Sequence, residues 1–286
     1  HLKRKTLNDE EILRECAAIK ALGFEHLLLV TGEHQRKVGM DYFRQVFPLI
    51  RPRFSSLMME VQPLAQEDYA ELKALGLDGV MVYQETYHPV TYQQHHLRGN
   101  KQDFHWRLET PDRLGRAGID KIGLGALIGL SASWRTDCFM VAEHLRYLQQ
   151  TYWQSRYSIS FPRLRPCAGG ITPASLMDEA QLLQVICAFR LLAPDVELSL
   201  STRESPHFRD HVIPIAINSV SAFSKTQPGG YADDHPELEQ FTPHDGRRPD
   251  AVAQAIIRAG LQPVWKDWDS YLGRQPHSPF NRQGLR

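Results

Sequence analysis

Apolar and polar positions alternate along this chain in two distinct periods. Residues 8–22 place Ile12, Cys16 and Ile19 on one face at helical spacing. Asn8 stands ready to cap that helix, and Asp9, Glu10 and Glu11 suit the positive end of its dipole. Gly23 ends it where a left-handed residue is wanted. A different pattern follows: Leu27-Leu28-Leu29-Val30 runs straight into Thr31-Gly32-Glu33. A short apolar run ending in a turn signal predicts a parallel strand buried on both faces.

The helix ending recurs. Lys20-Ala21-Leu22-Gly23-Phe24-Glu25, Lys73-Ala74-Leu75-Gly76-Leu77-Asp78 and Arg116-Ala117-Gly118-Ile119-Asp120 each give a cation, a glycine cap, one apolar residue and a polar step. Each leads into an apolar run, the punctuation of a βα repeat. The pattern predicts seven strands, over 27–30, 56–61, 80–83, 122–130, 157–161, 196–200 and 217–223. Helices are predicted over 134–150, 178–192, 207–213 and 249–259, the last capped by Gly260. The fold class expected is α/β, a TIM-like (β/α) barrel whose first strand is missing from this chain and would lie before His1. An open doubly wound sheet is the alternative, disfavoured because no glycine-rich dinucleotide turn follows any strand.

Residues 1–232 are assigned to the barrel, strands two to eight, and 233–286 to a C-terminal loop, helix and tail. The tail aromatics Trp265, Trp268 and Tyr271 are expected to pack on the barrel, and disorder is expected from 274 onward.

The 286 residues are 42% hydrophobic and 23% charged with zero formal net charge, which suits a large globular core. Interspersed charge of both signs argues against nucleic acid or a membrane surface as the partner. No apolar run approaches the ~20 residues that span a bilayer. Cys16, Cys138, Cys167 and Cys187 are scattered, without disulfide or zinc spacing, and a cytoplasmic location is expected. Cys16 and Cys187 fall in the apolar pattern of helices and are expected to be buried. A start at His1 suggests a piece of a longer protein.

Polar residues close every predicted strand: Thr31-Gly32-Glu33; Glu60 and Gln62; Gln84 and Glu85; Arg163 and Arg165; Ser201-Thr202-Arg203-Glu204; Ser221, Ser224 and Lys225. Taken singly, each is expected to be solvated or salt-bridged. Gathered at carboxyl ends, three arginines and several carboxylates suit a zwitterionic or carboxylate-bearing small molecule.

The succession Val30-Thr31-Gly32-Glu33-His34, Met59-Glu60-Val61-Gln62-Pro63, Tyr83-Gln84-Glu85-Thr86-Tyr87, Ser160-Phe161-Pro162-Arg163-Leu164-Arg165-Pro166 and Ser201-Thr202-Arg203-Glu204 resembles the radical S-adenosylmethionine tyrosine lyases of bacterial thiamine biosynthesis. The resemblance runs from His1 to about Gly273 without large gaps. It implies a barrel of the radical S-adenosylmethionine type that cleaves the Cα–Cβ bond of L-tyrosine to 2-iminoacetate and p-cresol. The cofactors implied are S-adenosylmethionine and a 4Fe–4S cluster, the latter held by a C-x3-C-x2-C motif upstream of this chain. Lys3-Arg4-Lys5-Thr6 looks like the segment just after that motif. The chain alone is therefore expected to be inactive, with no metal ligand among its own residues. L-tyrosine and a thiazole synthase are the partners implied.

By position, Thr31-Gly32-Glu33 looks like a variant of the family's Gly-Gly-Glu motif for the methionine amino group, with Thr31 for its first glycine. The resemblance places Gly32, Glu33, Gln62, Glu85 and Arg107 at the cofactor, with adenine lying against Gly123. It places Arg203 at the tyrosine carboxylate with Ser221 beside it. Arg163 and Arg165 are second choices, each able instead to pair with Glu204 or Glu60. Alternatives are a related radical barrel for another aromatic amino acid, or a non-catalytic barrel that binds an amino acid or partner.

Overall fold

The computed structural model describes residues 5–34, 36–165, 171–233, 238–239 and 241–266. Seven strands, β1 (His26–Val30), β2 (Ser56–Glu60), β3 (Gly79–Met81), β4 (Lys121–Gly125), β5 (Arg156–Ser160), β6 (Glu197–Leu200) and β7 (Ser219–Val220), form one sheet in chain order. Every ladder is parallel. An order without reversal has no switch point, so the crossover helices all lie on one side and the sheet curls around its other face. That arrangement is the barrel class expected from the sequence, not the doubly wound alternative.

Register fixes which residues line that inner face. Leu27 pairs with Leu57 and Leu29 with Met59, and these side chains join the core shared with the helices. The core continues through Val80, Ile122, Leu124, Tyr157, Ile159, Leu198 and Leu200. The alternate positions, Leu28, Val30, Met58, Glu60, Met81, Gly123, Gly125, Ser158 and Ser160 among them, therefore face inward. On the inner face of β1, Leu28 is 39% and Val30 57% exposed. The expectation that this strand is buried on both faces is thus corrected: β1 is an edge strand, and described residues cover only its helix side.

The helices are α1 (Asp9–Ala21), α2 (Met40–Ile50), α3 (Gln66–Ala74), α4 (Pro89–His95), α5 (Phe104–Leu108), α6 (Thr110–Arg116), α7 (Trp134–Thr151), α8 (Glu179–Leu192), α9 (Pro206–Ala216) and α10 (Pro249–Arg258). Asn8 and Glu11 form a reciprocal capping box on α1, and Asp178 and Gln181 do the same on α8. The repeated helix ending is real: Gly23, Gly76 and Gly118 have φ of 90°, 103° and 73°. On the far side of the barrel, Glu15 of α1 accepts the backbone N–H of Ala232 at 2.8 Å, tying the region after β7 to the first helix.

Three expected boundaries move. The strand expected over 122–130 stops at Gly125, because Gly129 turns the chain at φ 104° and Ile128 bridges Arg163 instead. The strand expected over 217–223 shrinks to Ser219–Val220, since the Asn218 side chain takes the Leu198 N–H at 2.8 Å. The helix expected over 207–213 runs longer, as α9.

Cys16 and Cys138 are buried, whereas Cys187 is only half-buried, on the part-covered flank of α8; Cys167 lies outside the described residues. Trp265 packs edge-on against Phe24 at 5.6 Å, as expected of the tail; Trp268, Tyr271, the opening residues 1–4 and everything from 274 onward lie outside the described residues. Among the described residues no helix is long and apolar enough to cross a membrane.

Candidate active site

At the carboxyl end of β1 the chain delivers Glu33, and at the carboxyl end of β3 it delivers Glu85. Arg107 reaches both from α5, whose first turn is capped by the Asp103 side chain accepting from Trp106 N. The Arg107 guanidinium donates to Glu33 Oε1 at 3.0 Å, to Glu85 Oε1 at 3.3 Å and to the Tyr83 carbonyl at 2.8 Å. Lys101, from the α4–α5 connection, donates to the same Glu85 oxygen at 2.7 Å and lies 4.0 Å from Glu33. Burial pushes the Glu85 carboxyl up, but Lys101 and Arg107 outweigh it and hold the group below its usual range.

Glu85 has φ 72°, a left-handed conformation that a side chain adopts at a cost of about 1–3 kcal/mol. Neighbouring bonds hold it there. Its carbonyl accepts from Leu127 N at 2.8 Å. Buried Asp137, in the first turn of α7, accepts from Thr86 Oγ1 at 2.9 Å, Tyr87 N at 2.7 Å and Ser131 Oγ at 2.7 Å. One carboxylate thereby ties the turns after β3 and β4 together behind Glu85.

This half of the mouth contains polar atoms that the described residues do not satisfy. Thr31 Oγ1, Gln84 Nε2 and both ring nitrogens of His96 are buried without a hydrogen-bond partner. His96 stacks on Tyr92 at 4.2 Å, and burial followed by the Lys101 charge brings its pKa down to about 4. Buried polar groups are seldom left unpaired, so these atoms fit a polar ligand carrying both donors and acceptors.

Across the mouth, the turn after β6 presents Arg203. Its guanidinium lies 3.8 Å from the centre of the Phe241 ring, and burial draws its pKa down. The neighbouring arginines are otherwise engaged. Arg163 donates through Nε to Glu204 Oε1 at 3.0 Å and through a second nitrogen to Oε2, while Arg165 donates to Glu204 Oε2 at 3.1 Å and to the Arg203 carbonyl. They brace the Arg203 turn through buried Glu204, the ion-pair alternative foreseen for them. Ser221 accepts the Thr202 N–H on its hydroxyl at 3.2 Å, which fixes the same turn from β7.

Phe241 is held over Arg203 by a buried ionic knot. Asp245 accepts from Arg209, both with fully buried side chains, and from Arg247 at 2.7 Å. Its own N–H donates to the Thr202 carbonyl at 3.0 Å. Arg209 sits on the apolar face of α9 beside Phe208 and Val212, where a charged residue demands a partner.

Glu33, Glu85 and Arg107, separated by up to 74 positions, are thus brought together as expected, with Arg203 carried on the β6 turn. Gln62 is drawn elsewhere: its buried amide donates to the Val38 carbonyl at 3.1 Å and so holds the β1–α2 connection. At Gly123, expected to face adenine, a Cβ would sit 1.9 Å from Met81 Sδ, so the thioether lies against this glycine. Lys101, Asp137 and Phe241 were missed. Only Arg209, a cation within an apolar helical arc, left a readable signal.

An inward-curled parallel sheet with paired carboxylates and cations at its carboxyl mouth defines a (β/α) barrel with a charged site where such barrels build their active centres. Two solved FeFe-hydrogenase maturases named HydG share the fold. The first has a TM-score of 0.86 and 31% identity over 93% of this chain and 60% of that one. The second, from Carboxydothermus hydrogenoformans, has a TM-score of 0.83 and 30% identity over 93% of this chain and 61% of that one. Methylornithine synthase matches in fold alone, with a TM-score of 0.68 at 18% identity, over 92% of this chain and 76% of that one. The Biotin and Thiamin Synthesis associated domain matches residues 160–262. Two curated 2-iminoacetate synthases, from Salmonella typhimurium and Escherichia coli, are each 78% identical over 273 residues, covering 96% of this chain and 72% of theirs. The chain belongs to the 2-iminoacetate synthase family.

Proposed function

We propose that this barrel binds S-adenosylmethionine and L-tyrosine and breaks the tyrosine Cα–Cβ bond, giving 2-iminoacetate and p-cresol. The observation that carries the reading is the meeting of Glu33, Glu85 and Arg107 at one end of the mouth, with Arg203 presented from the β6 turn. Radical enzymes of this family use S-adenosylmethionine with a 4Fe–4S cluster, and the bound cofactor supplies a carbon radical able to remove a hydrogen atom. The buried unpaired atoms of Thr31 and Gln84 fit the cofactor's polar groups. Glu33 and Glu85 receive its ammonium, with Gly32 giving backbone access, while Arg107 holds both carboxylates in place.

The described cysteines do not fit the cluster. Cys16, Cys138 and Cys187 lie on three different helices, and among the described residues no group of three or more His, Cys, Asp or Glu could hold a metal ion.

On the substrate side, Arg203 grips the tyrosine carboxylate, and Ser221 keeps its turn in register. Arg163 and Arg165 act one step back, by holding Glu204 and the Arg203 carbonyl. Phe241 closes over Arg203 and excludes water, which protects an imine product from hydrolysis. The product is suited to direct transfer to a thiazole synthase in the cytoplasm. Calorimetric titration tests the assignment: Arg203→Ala should abolish tyrosine binding and leave S-adenosylmethionine binding within about threefold. Loss of the cofactor with tyrosine retained would reverse the two halves of the site.

A further inference from the structure

Glu60 ends β2 on the inner face, opposite Val30 and between the two charged groups of the mouth. Its neighbours Leu57 and Met59 are fully buried against the helices, so alternation turns the Glu60 carboxylate into the barrel. There the side chain is half-buried and open to the mouth, and among the described residues its carboxylate makes no hydrogen bond and no ion pair. Every other carboxylate of the mouth is engaged: Glu33 and Glu85 by Arg107 and Lys101, Glu204 by Arg163 and Arg165.

Arg203 is its counterpart. The strongest opposite charge acting on Glu60 is Arg203, and the strongest acting on Arg203 is Glu60. The two nevertheless form no ion pair with each other, so the mouth holds a half-buried anion and a half-buried cation that feel one another's charge without touching. Each is partly withdrawn from water without a charged partner in return. A ligand with a positive and a negative group a few ångströms apart removes both deficits. An α-amino acid is such a ligand.

We propose that Glu60 is the counter-ion of the substrate's α-ammonium, so that Glu60 and Arg203 together select an amino-acid zwitterion. This deepens the tyrosine reading and rests on it. Burial, then repulsion from Glu85, raises the Glu60 carboxyl above its usual range, while Arg203, Arg107 and Lys101 oppose the rise. Tyr83, on the turn after β3, faces the same charge and is itself pushed up, first by burial and then by Glu60. Filling the gap with an ammonium would bring Glu60 back down.

The test uses three probes, L-tyrosine, 3-(4-hydroxyphenyl)propionate without the amine, and tyramine without the carboxylate, titrated into wild type, Glu60→Gln and Arg203→Ala. Glu60→Gln should weaken tyrosine and tyramine tenfold or more and leave hydroxyphenylpropionate unchanged or tighter; Arg203→Ala should spare tyramine alone. A second measurement needs no variant. Wild-type affinities for tyrosine and for tyramine, whose ammonium does not titrate in this range, should fall together as Glu60 is protonated, above the ordinary carboxylate value of about 4.3. Equal loss of tyrosine and hydroxyphenylpropionate in Glu60→Gln, or no loss of either, would overturn the Glu60 assignment and leave the tyrosine reading standing. Wild type that binds neither ligand would overturn both.

Discussion

Arg107 donates to Glu33 at 3.0 Å while the same guanidinium reaches Glu85 and the Tyr83 carbonyl, so one planar group joins the ends of β1 and β3. A lysine is a point charge and cannot make that fork. Arg107→Lys should therefore keep the charge and still weaken S-adenosylmethionine binding about tenfold. Arg107→Met, which strands two part-buried carboxylates beside Lys101, should also lower the melting temperature. Calorimetry and a thermal melt separate the two effects. Wild-type affinity in Arg107→Lys would mean that charge alone matters.

The same cluster sets a pH dependence. Glu85 is held below the ordinary carboxylate value despite burial, by Lys101 and Arg107. A depressed carboxyl stabilises the fold fully above its unfolded pKa of about 4.3, and that contribution disappears as pH falls through the lower, folded value. Urea midpoints measured from pH 7 down to pH 3 should fall for wild type and fall less steeply for Glu85→Gln. Parallel slopes would remove Glu85 from the acid response.

The sequence shows most of the scaffold because barrel punctuation is local. Gly23, Gly76 and Gly118 cap helices in the left-handed conformation, and each can be read from its own six residues. The carboxyl-end location of Glu33, Glu85 and Arg203 follows equally from strand boundaries. Other features depend on pairings across the chain, which no local pattern carries. Lys101 comes from a connection without periodicity, and its carbonyl accepts from Tyr92 Oη at 2.8 Å, a contact between separate segments. The exposure of Leu28 and Val30 could not be read from β1 alone, since it depends on what lies across the inner face. Gly123 illustrates the same limit of local reading: a glycine on a strand shows that something approaches, and the approach of Met81 is visible only across the sheet.

Asp137 never touches the mouth, yet it fixes the backbone beside Glu85. Its two oxygens accept from three donors, Thr86, Tyr87 N and Ser131. Asp137→Asn replaces one acceptor with an N–H₂: on the Oδ1 side it faces the Tyr87 N–H, and on the Oδ2 side it turns the Ser131 hydroxyl into an acceptor and leaves that hydroxyl's proton without its partner. A buried donor left unsatisfied costs about 1–3 kcal/mol. The variant should be destabilised by about that much, with S-adenosylmethionine affinity reduced although no ligand contact is removed. A Glu85→Gly control relieves the left-handed strain but deletes the charge, so it should lose cofactor affinity without a comparable loss of stability. Unchanged stability in Asp137→Asn would show that this carboxylate is dispensable.

Arg209 and Asp245 form a fully buried pair that closes the Phe241 segment over the β6 turn. Removing Asp245 leaves the Arg209 charge uncompensated, at about 3–5 kcal/mol, whereas removing Arg209 leaves Asp245 still paired with Arg247. Asp245→Ala should therefore destabilise by that order and Arg209→Met by less, and Arg209→Met with Asp245→Leu together should recover part of the Asp245→Ala loss. A urea double-mutant cycle measures the coupling. Additive losses would mean that the pair contributes nothing beyond its separate contacts.

The glycines of β4 make a ranked prediction. A Cβ at Gly125 would lie 2.2 Å from the Ser160 carbonyl oxygen and 2.7 Å from the Tyr83 ring, so relief requires moving backbone. A Cβ at Gly123 would meet Met81 Sδ at 1.9 Å, the end of a flexible chain, although Met81 Cα is also close at 3.2 Å. Overpacking a dense interior costs about 1–3 kcal/mol. Gly125→Ala should fall at the upper end of that range or beyond, and Gly123→Ala at the lower. Met81→Ala should rescue Gly123→Ala and leave Gly125→Ala unimproved, because only the first clash involves its sulfur. Denaturation midpoints of the single and double variants decide this, and equal rescue of both would mean the sheet yields as a whole rather than at each contact.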